Sequence, residues 1–474
     1  MANDLRSYLS QYEATQTDQV IHIDREIGSV QEITALAVKL EAMQKYPILI
    51  CHNVRTVDGR RSPFPLITNL LASRTRCAQA MDSTYQRVGL DYYRQARQEK
   101  RVPLVISREQ APVKQVAKTG REIDLFQFPA LVHHYMDPGP YFTAGFFTTY
   151  DPDSGIDNSA LHRGWMVERD RVRCYLTPFS HARSTFDVHE AAGQDMRVAY
   201  WVGHHPVACL AAQTRLGFPE SHFEAMGGLL GEPLRLVPSE TLGDDFLVPA
   251  DAEVIIEGIM RTKDRYPEGP FGEYTGNIGP QIPNPQVEVT AITHRRDAYW
   301  HDILVGHADN QVMGGFALEG VVYEAVKQRC PNLQAVYLPL SGTCRFHVYL
   351  QFHNPRPGEA REAILAALGV DYRIKHIFTF DSDIDIFDER DVFLGIATRS
   401  QWHKDVIICQ DLRGSELDPS VLGALTTKGG IDCTKPVGEG YAERNKIDES
   451  IWEEVQVEDF ISPERLARIA TERM

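Results

Sequence analysis

Short β-rich segments follow one another between about residues 100 and 330, and they restrict the fold more than any other feature of the sequence. They are separated by Pro, Gly and Asp turns and read VPLVIS, YFTAGFFTTYD, VRCYLTPF, RVAYWVGHHPVACLAA, AEVIIEGIM, VEVTAITHRR and AYWHDILVG. Many short strands at such spacing are typical of a β-barrel or a β-sandwich. The centre of the chain is therefore predicted to be one of these two architectures.

Helical and strand patterns alternate on both sides of this central segment. Near the N-terminus, ITALAVKLEAMQ (33–44) has helical spacing, and YPILICHNV, from Tyr46, has the composition of a buried strand. LEGVVYEAVKQRC, after residue 317, is helical, and the alternation that follows predicts a smaller α/β domain. The tail, from DESIWEEVQVEDF, predicts a final strand or extended piece and then a helix capped by Ser-Pro.

Composition excludes several classes of function. The formal net charge of -16 argues against an extended nucleic-acid or membrane-surface role, because both need concentrated positive charge. The first residues lack an apolar signal core, and no apolar run approaches the ~18 residues that span a bilayer. We therefore expect a soluble, cytoplasmic protein. The eight cysteines form no CxxC pair, which favours buried thiols over a disulfide framework or a zinc site.

Several common catalytic signatures do not occur in the sequence. GxxxxGK[ST], HExxH and GxSxG do not occur, and no GxGxxG follows a strand. P-loop, zincin, α/β-hydrolase and Rossmann interpretations therefore have little support.

The segment EGPFGEYTG (268–276) places two glutamates five positions apart where no regular helix can form. Pro270 cannot donate to a helix, and its flanking glycines loosen the backbone. An ordinary surface turn with solvated glutamates would also fit this composition. Alternatively, the loop directs both carboxylates to one site. Like charges held close together raise one pKa, so that one carboxyl group can donate a proton near neutral pH.

Four further side chains form a second candidate group: Asn158, Arg163, His181 and Glu224. Taken singly, each has an ordinary explanation as a turn residue, a satisfied polar side chain or a solvated acid at a helix start. Together, an amide oxygen, an imidazole and a carboxylate suit Mn²⁺ or Mg²⁺ bound to a phosphate.

These motifs together resemble the UbiD family of decarboxylases, which use prenylated FMN. The family's Asn-x4-Arg segment is matched by Asn158 to Arg163, its metal histidine by His181, and its acidic loop E-G-P-[FY]-G-[ED]-x-x-G by residues 268–276. TAGFFTTYDPDSG, AEVIIEGIM and TTKGGIDCTKP also resemble family segments, so the similarity covers nearly the whole chain. Its metal glutamate matches Glu224 only after a one-residue adjustment.

The resemblance implies an α/β (α+β) fold in four parts. These are an N-terminal α/β region (1–110), a split β-barrel that binds prenylated FMN (111–314), a linker helix (315–332) and a C-terminal α/β domain (333–474). The last domain would mediate formation of a homodimer or a higher homo-oligomer.

The resemblance also implies a cofactor site. Asn158, His181 and Glu224 would bind Mn²⁺ (or Mg²⁺), which bridges to the cofactor phosphate. A potassium ion would lie on backbone carbonyls near Ser159 and residues 212–215. The residues lining the cofactor would be Thr143, Asn158, Ser159, Ala160, Leu161, Arg163, Ser180, His181, Gln213, Thr214, Arg215 and Glu224. A flavin prenyltransferase would supply the cofactor.

In family terms, the modified flavin forms a covalent adduct with the substrate, CO₂ leaves, and a glutamate protonates the remaining carbon. Here Glu273 would be the proton donor, and Arg163 would pair with Glu268 beside the flavin. The reaction is reversible and non-oxidative. The residue-level interpretation agrees, because Arg163 would keep Glu268 charged and leave Glu273 free to carry a proton.

Alignment to the family places several residues near the substrate: His301, Asp309, Met313, Arg373 and the 415–417 stretch, with Ser415 and Leu417. Ordinary loop positions are an equally good explanation for them. Polar groups there favour a substrate with a hydroxyl or a ring N–H, so we expect an aromatic or heteroaromatic (or α,β-unsaturated) carboxylic acid.

Two other functions stay open from the sequence. A hydrolase could use Glu268 and Glu273 as acid and base without a flavin. A flavin- or metal-binding assembly protein could carry the same residues without turnover.

Overall fold

The computed structural model describes residues 3–178, 180–218, 220–421, 423–436 and 440–469. The chain forms two compact units, Met1–Thr434 and Lys435–Met474. The first unit contains the N-terminal region, the central sheet and the elements that follow it up to Thr434.

The N-terminal region mixes helices with short strands. Helix α1 begins at Leu5 because the Asp4 carboxylate accepts a hydrogen bond from the Ser7 N–H, at 2.8 Å. The elements in chain order are α1 (Leu5–Thr15), β1 (Val20–Ile23), β2 (Ile27–Gly28), α2 (Glu32–Ala42), β3 (Ile48–Cys51), β4 (Val54–Arg55), β5 (Leu66–Thr68), α3 (Arg74–Ala80), α4 (Val88–Gln98) and β6 (Leu104–Val105). The helix expected at 33–44 and the strand expected after Tyr46 are confirmed as α2 and β3.

The central region is rich in strands. Its elements are β7 (Val116–Thr119), β8 (Tyr141–Phe142), β9 (Phe146–Tyr150), β10 (Asp157–Leu161), β11 (Gly164–Glu168), β12 (Arg171–Cys174), α5 (His181–Ala191), β13 (Met196–Val202), α6 (Pro206–Ala211), α7 (His222–Leu230), β14 (Arg235–Pro238), β15 (Leu247–Pro249), β16 (Val254–Met260), β17 (Tyr266–Glu268), β18 (Phe271–Gly272), β19 (Ile278–Gly279), β20 (Ile282–Asn284), β21 (Gln286–His294) and β22 (Trp300–His301).

Most of these strands form one nine-stranded sheet in the order β10-β9-β13-β16-β21-β12-β11-β8, with β7 also paired to β21. Strands β10 and β8 are therefore the two ends of this order. Only His162 and Arg163 connect β10 to β11, which lies at the opposite end beside β8. Because three peptide units span at most about 11 Å, the sheet must curl until its two ends approach each other. Arg163 lies at this junction.

One expected strand is in part a helix. RVAYWVGHHPVACLAA begins as β13, but Pro206–Ala211 is helix α6. Pro206 lies in the first turn, where its missing N–H costs no hydrogen bond, and the His205 ring accepts a hydrogen bond from the Val207 N–H. Continuous hydrophobicity hid this change of element, because buried helices and buried strands have similar composition.

The long helix α8 (Ala308–Lys327) leads out of the central region. The sequence predicts this helix over 315–332, so it begins and ends earlier in the chain than expected. The elements that follow are β23 (Leu333–Tyr337), β24 (His347–Phe352), α9 (Glu359–Leu368), β25 (His376–Asp381), α10 (Glu389–Arg399), α11 (Trp402–Asp405), β26 (Val406–Arg413) and β27 (Leu425–Cys433). They form a sheet in the order β23-β24-β25-β27-β26, whose three central strands are parallel.

The second unit contains two short helices, α12 (Glu449–Glu454) and α13 (Pro463–Leu466). The helix expected after Ser-Pro is confirmed, since the Ser462 hydroxyl accepts from the Arg465 N–H and Pro463 opens α13. The extended piece expected before it is wrong in part, because Asp448 caps α12 there.

Two expectations from composition can be compared directly with the structure. All eight cysteines are free thiols, and seven of them are buried. Within the described part of the chain, no helix has both the length and the hydropathy needed to cross a membrane.

Candidate active site

The acidic loop lies between two short strand pairs. Strand β17 pairs with β20 and β18 pairs with β19, so residues 268–273 form no helix, as predicted. Gly269 has φ +81°, a conformation that favours glycine, and its peptide bond to Pro270 is cis. Gly279 allows a close approach, because a Cβ there would come within 2.8 Å of the Glu273 carboxylate. The backbone thus brings both glutamates to the same side chain, Arg163.

Arg163 binds the two glutamates with three nitrogens. Its Nε and Nη2 each donate to one oxygen of Glu268, both at 2.9 Å, and its Nη1 donates to Glu273 at 2.6 Å. Bidentate arginine–carboxylate pairs hold both groups in a defined geometry. The pairing of Arg163 with Glu268 therefore appears as the sequence predicted. Glu273, in contrast, is not free, since it shares the same guanidinium.

Aromatic side chains pack against this group. The Arg163 guanidinium carbon lies 4.6 Å from the centre of the Tyr175 ring and 4.8 Å from that of Phe271. The Tyr141 hydroxyl donates to Glu268 at 3.2 Å. Glu268 is wholly buried and Glu273 is 7% exposed. Buried charges of this kind depend on each other, because removing one partner leaves the other uncompensated.

The two carboxyl groups differ in their surroundings. Burial raises the pKa of Glu273 above its ordinary value; Arg163 lowers that pKa and the charge of Glu268 raises it. For Arg163, burial lowers the pKa, but Glu273 and Glu268 outweigh it and the pKa lies well above the ordinary value. If both glutamates were ionised, the group would carry a net negative charge in a buried place. A proton on Glu273 removes that charge.

A cavity of about 260 Å³ is lined by most of the predicted cofactor residues. We call it the Asn158 pocket. The predicted residues that line it are Asn158, Ala160, Leu161, Ser180, His181, Gln213, Thr214, Arg215 and Arg373. The Asn158 Nδ2 is buried and has no hydrogen-bond partner among the described residues. Burial and the charge of Arg215 lower the pKa of His181, which favours the neutral ring that can bind a metal.

Glu224 is not among the described residues that line this pocket. It lies half-buried in the first turn of α7, where its N–H donates to the Ser221 hydroxyl at 3.1 Å. Its neighbour His222 does line the pocket, with a ring centre 6.2 Å from that of His181. Within the described residues, no three His, Cys, Asp or Glu side chains are grouped as metal ligands.

Two other predicted cofactor residues, Thr143 and Ser159, have hydroxyl groups that already form hydrogen bonds within the protein. The Thr143 hydroxyl donates to Asp302 at 3.0 Å and accepts from the Ile303 N–H at 3.0 Å. Ser159 is fully buried and accepts from the Trp201 indole N–H at 3.0 Å. A contact of Thr143 with a cofactor would therefore use its backbone or its methyl group.

Comparison with known proteins identifies the family. Residues 13–91, 105–308 and 311–433 match the N-terminal, Rift-related and C-terminal domains of 3-octaprenyl-4-hydroxybenzoate carboxy-lyase. The anhydromevalonate phosphate decarboxylase of Methanosarcina mazei is 31% identical over 89% of this chain and 94% of its own length. This chain belongs to the UbiD family. It is accordingly a carboxy-lyase.

Solved structures of UbiD-class enzymes confirm the expected fold class. HmfF from Pelotomaculum thermopropionicum, in complex with FMN, is 33% identical and superposes with a TM-score of 0.89 over 97% of this chain and 100% of its own. An evolved dimeric form of HmfF, in complex with prenylated FMN, is 32% identical, with a TM-score of 0.87 over the same shares.

The residues aligned to the UbiD substrate site do not lie together in one pocket of the described structure. Ser415 lies beside the acidic loop, because its hydroxyl is 2.8 Å from that of Tyr274, which follows Glu273. The half-buried Leu417 donates its N–H to the Ser415 hydroxyl at 3.3 Å. Arg373 binds Asp371 through two nitrogens, at 2.8 and 2.9 Å, and lines the Asn158 pocket.

The other three substrate candidates are buried. The Asp309 carboxylate accepts from the N–H groups of Asn69 and Leu71, at 3.0 and 2.8 Å, so both oxygens are engaged. Met313 packs in the hydrophobic core. His301 has both ring nitrogens without a partner among the described residues, and burial lowers its pKa to about 3.

Several residues of the site were not found from the sequence. Tyr141, Tyr175 and Phe271 surround the Arg163 group, and His222 and Tyr372 line the Asn158 pocket. Their aromatic character indicates only burial, and contact with a charged group depends on packing. For His222, the signal available was its position beside Glu224.

Proposed function

We propose that the protein catalyses reversible, non-oxidative decarboxylation of an aromatic, heteroaromatic or α,β-unsaturated carboxylic acid with prenylated FMN. Glu273 donates the proton to the carbon that has lost CO₂. Arg163 and Glu268 lie beside the flavin. The observation that carries this proposal is the three-point contact of Arg163 with a fixed glutamate and with a second glutamate whose pKa is raised.

The Asn158 pocket fits the phosphate end of such a cofactor. An unpartnered buried amide, a neutral imidazole and two arginines, Arg215 and Arg373, converge on one cavity. Asn158, His181 and Glu224 would hold Mn²⁺ or Mg²⁺, and carbonyl groups near Ser159 and residues 212–215 would hold K⁺. The prenylated flavin, when bound, supplies the electron sink for the carbon that loses CO₂.

The protein's own groups position the acid and move the proton. The charge of Arg163 favours a substrate carboxylate beside it, and its bonds to Glu268 keep the guanidinium in one orientation. Glu273 carries the proton, because burial opposes its charged form. The proton passes from the Glu273 carboxyl oxygen to the substrate carbon. In the reverse direction, the Glu273 carboxylate removes that proton and CO₂ is added.

The comparisons do not select one acid. Anhydromevalonate phosphate decarboxylases and HmfF are both similar to this chain. The three groups of acids in this proposal share an unsaturated carbon next to the carboxylate, where the bound cofactor would supply the electron sink.

The geometry disfavours the two-carboxylate hydrolase. Both oxygens of Glu268 accept from Arg163, so Glu268 is poorly placed to activate a water molecule. Membership of a carboxy-lyase family also disfavours an assembly protein without turnover.

The assignments of region and partner follow from the same proposal. Residues 111–314 would bind the cofactor, between residues 1–110 and the helix predicted at 315–332. Residues 333–474 would mediate a homodimer or a higher homo-oligomer, and an evolved HmfF is described as dimeric. A flavin prenyltransferase would supply the cofactor in the cytoplasm.

The test is to produce the protein together with a flavin prenyltransferase and Mn²⁺ and to purify it. We expect flavin absorbance, stoichiometric metal, and CO₂ release or H/D exchange with members of a panel of aromatic, heteroaromatic and α,β-unsaturated acids. A colourless, fully active preparation would favour the hydrolase instead. Retained flavin without turnover of any acid would favour the assembly protein.

A further inference from the structure

A cavity of about 560 Å³ lies between helices α1, α3, α4 and α7 and the start of α6. We call it the Tyr8 cavity; Tyr8, Tyr12, Asp82, Glu99 and His205 are among the residues that line it. Among the described residues, none lines both this cavity and the Asn158 pocket, and none of the acidic loop lines it. The decarboxylation proposed above therefore gives this space no role.

Four helices end at the Tyr8 cavity, because the C-cap residue of each of them lines it. These residues are Gln16 of α1, Met81 of α3, Glu99 of α4 and Gly231 of α7. The C-terminus of a helix carries a partial negative charge, since its last carbonyl groups have no donor within the helix. Four such ends around one cavity favour a positively charged ligand.

The protein satisfies only some of the carbonyl oxygens at these helix ends. The Asn3 side-chain amide donates to the Leu230 carbonyl at 3.3 Å. Within the described part of the chain, no group donates to the carbonyl oxygens of Ala80, the last residue of α3, and Leu229, in the last turn of α7. A ligand with N–H groups would supply the missing donors.

The ionisable side chains that line the cavity make it electronegative. Asp82 and Glu99 are its two carboxylates, and no Lys or Arg side chain of the described residues lines it. Asp82 is exposed and forms no salt bridge within that set, whereas Glu99 lies 3.6 Å from the Arg94 Nε. Burial lowers the pKa of His205 to about 3, so its ring is neutral and adds no positive charge.

Two positive groups lie close to the cavity, but both already form hydrogen bonds within the protein. Helix α6 begins there, and the His205 ring accepts a hydrogen bond from the Val207 N–H at 3.3 Å. The Arg76 guanidinium carbon lies 5.9 Å from the centre of the Tyr12 ring. Its nitrogens donate to three backbone carbonyl groups, those of Tyr46, Asn69 and Leu70. Neither group therefore offers a donor to an anionic ligand.

Aromatic rings give the cavity a surface that suits an organic ligand. The Tyr8 and Tyr12 rings stack with their centres 5.6 Å apart, and the His205 ring meets Tyr8 edge-on at 5.2 Å. Tyr8 is 7% exposed, and its hydroxyl and the side-chain oxygen of Gln95 are buried without a hydrogen-bond partner among the described residues. Aromatic faces attract ammonium ions, and buried polar atoms without partners are suited to bind a ligand.

A metal ion fits these donors less well than an organic cation does. No three His, Cys, Asp or Glu side chains of the described residues are grouped as metal ligands. Met81, Val207 and Leu229 also line the cavity and would contact hydrocarbon. An ammonium group on a hydrocarbon body matches both the electronegative helix ends and these apolar side chains.

We propose that the Tyr8 cavity binds an organic ammonium ion, a primary amine or a polyamine, at a site separate from the decarboxylation site. Its ammonium N–H groups would donate to the carbonyl oxygens at the helix ends and pair with Asp82. Its hydrocarbon chain would lie against Tyr8 and Tyr12. This inference goes beyond the proposed function and does not rest on it, because it uses other residues.

The test is isothermal titration calorimetry of the full-length protein, as purified, with spermidine, butane-1,4-diamine, 4-aminobutan-1-ol and butane-1,4-diol. The last three have similar length and carry two, one and no ammonium groups. We expect one diamine or spermidine bound per chain, weaker binding of the amino alcohol and none of the diol. Both amines should raise Tm, because a ligand that binds only the folded state stabilises it. Equal affinities for diamine and diol, or no saturable binding of either amine, would overturn the inference.

Substitutions separate the cavity from general attraction to a chain with a net charge of -16. Asp82→Asn should weaken binding of the diamine about 2- to 5-fold. Asn also tolerates the φ of +51° at this position. Asp18→Asn is the matched control, because it removes the same charge from an exposed residue outside the cavity, and it should leave the affinity unchanged. Equal weakening by both changes would show adventitious binding to surface charge and contradict the proposed site.

Ala80→Phe is a second variant, since its ring would occupy the cavity. It should abolish diamine binding while circular dichroism shows a folded protein, and retained binding would place the amine elsewhere. If Ala80→Phe does not fold, the comparison of Asp82→Asn with Asp18→Asn decides. His181→Ala, in the Asn158 pocket, should bind the diamine as the wild type does. Loss of binding in that variant would assign the amine to the Asn158 pocket and overturn the inference, whatever the turnover of acids.

Discussion

The acidic-loop group and the Asn158 pocket are both polar and buried, but they differ in how their polar atoms are satisfied. In the first, Arg163, Glu268 and Glu273 satisfy one another. In the second, the buried amide of Asn158 and the Nδ1 of His222 have no partner among the described residues. Charged groups that hydrogen-bond to one another can shift each other's pKa without a ligand. Buried polar groups without a hydrogen-bond partner are suited to bind a ligand.

The same contrast separates Arg163 from Arg345. Arg163 has two carboxylates around it, and Arg345 has carbonyl oxygens at one nitrogen. Substitutions in the acidic-loop group, whose polar atoms are paired, should therefore affect the chemical step and its pH dependence. Substitutions at residues with unpaired polar atoms should affect ligand binding.

The largest effect is expected for Glu273→Gln. This change removes the proton of the group that we propose as the donor and keeps the size of the side chain, so decarboxylation should fall about 10²- to 10⁴-fold. The flavin spectrum and metal content should match those of the wild type. Turnover at the wild-type rate would show that another group carries the proton.

In the Asn158 pocket, a large effect is expected for His181→Ala. If His181 holds the metal as proposed, its loss should weaken cofactor retention by more than the 10- to 100-fold typical for groups that only support a ligand. Metal content and flavin absorbance after gel filtration measure it, and a chelator should act on the wild type in the same direction. His189→Ala, on the same helix α5, is the control. Equal flavin retention in both variants would contradict the assignment of His181.

Glu268→Gln should change the pH dependence. The pKa of Glu273 is raised by burial and by the charge of Glu268, so activity that needs protonated Glu273 falls as the pH rises through that pKa. Removing the charge of Glu268 lowers the pKa of Glu273 and lets Arg163 interact with it more strongly. The alkaline limb of residual kcat should therefore move to lower pH. If the alkaline limb lies at the same pH in Glu268→Gln and in the wild type, the limb reports the ionisation of another group.

The same pKa affects stability. Because the folded protein binds the proton of Glu273 more tightly than the unfolded chain does, ionisation of Glu273 destabilises the fold as the pH rises above the ordinary carboxyl range. In Glu273→Gln this loss should disappear. Tm measured across pH 5 to 9 for both proteins checks the sign.

A smaller effect is expected for Gly314→Ala. The added methyl group would displace the Arg345 guanidinium, and overpacking of this kind costs about 1–3 kcal/mol. Tm should therefore decrease. Gly315→Ala is the matched control in the same helix, because its methyl group would meet Cys344 at 3.1 Å instead. Equal Tm values for the two variants would contradict a tighter contact at Gly314.

The smallest effect is expected for Ser415→Ala. It removes the hydroxyl that lies 2.8 Å from the Tyr274 hydroxyl, a contact worth about 1 kcal/mol. KM should rise a few-fold and kcat should change little. A large decrease in kcat would place Ser415 in the chemical step.

Much of this site could be predicted from the sequence because its residues occur in short motifs. The acidic loop, Asn158 with Arg163, and His181 each have local spacing that chemistry restricts. The assignment of Glu224 was weaker, because it matches the family's metal glutamate only after the alignment is shifted by one residue. The start of α8 and helix α6 were missed because hydrophobic runs do not reveal which element they form.

The sequence by itself determined the family, the fold class and the non-helical course of the acidic loop, because Pro270, with Gly269 and Gly272 near it, excludes a helix there. Only the tertiary structure decided how the charges of the loop's two glutamates are balanced. It placed Arg163 between the two ends of a curled sheet, where it binds both glutamates, and it buried Arg345 against Gly314 without a carboxylate. The physical reason is that burial and charge pairing depend on residues far apart in the chain, which no local pattern records.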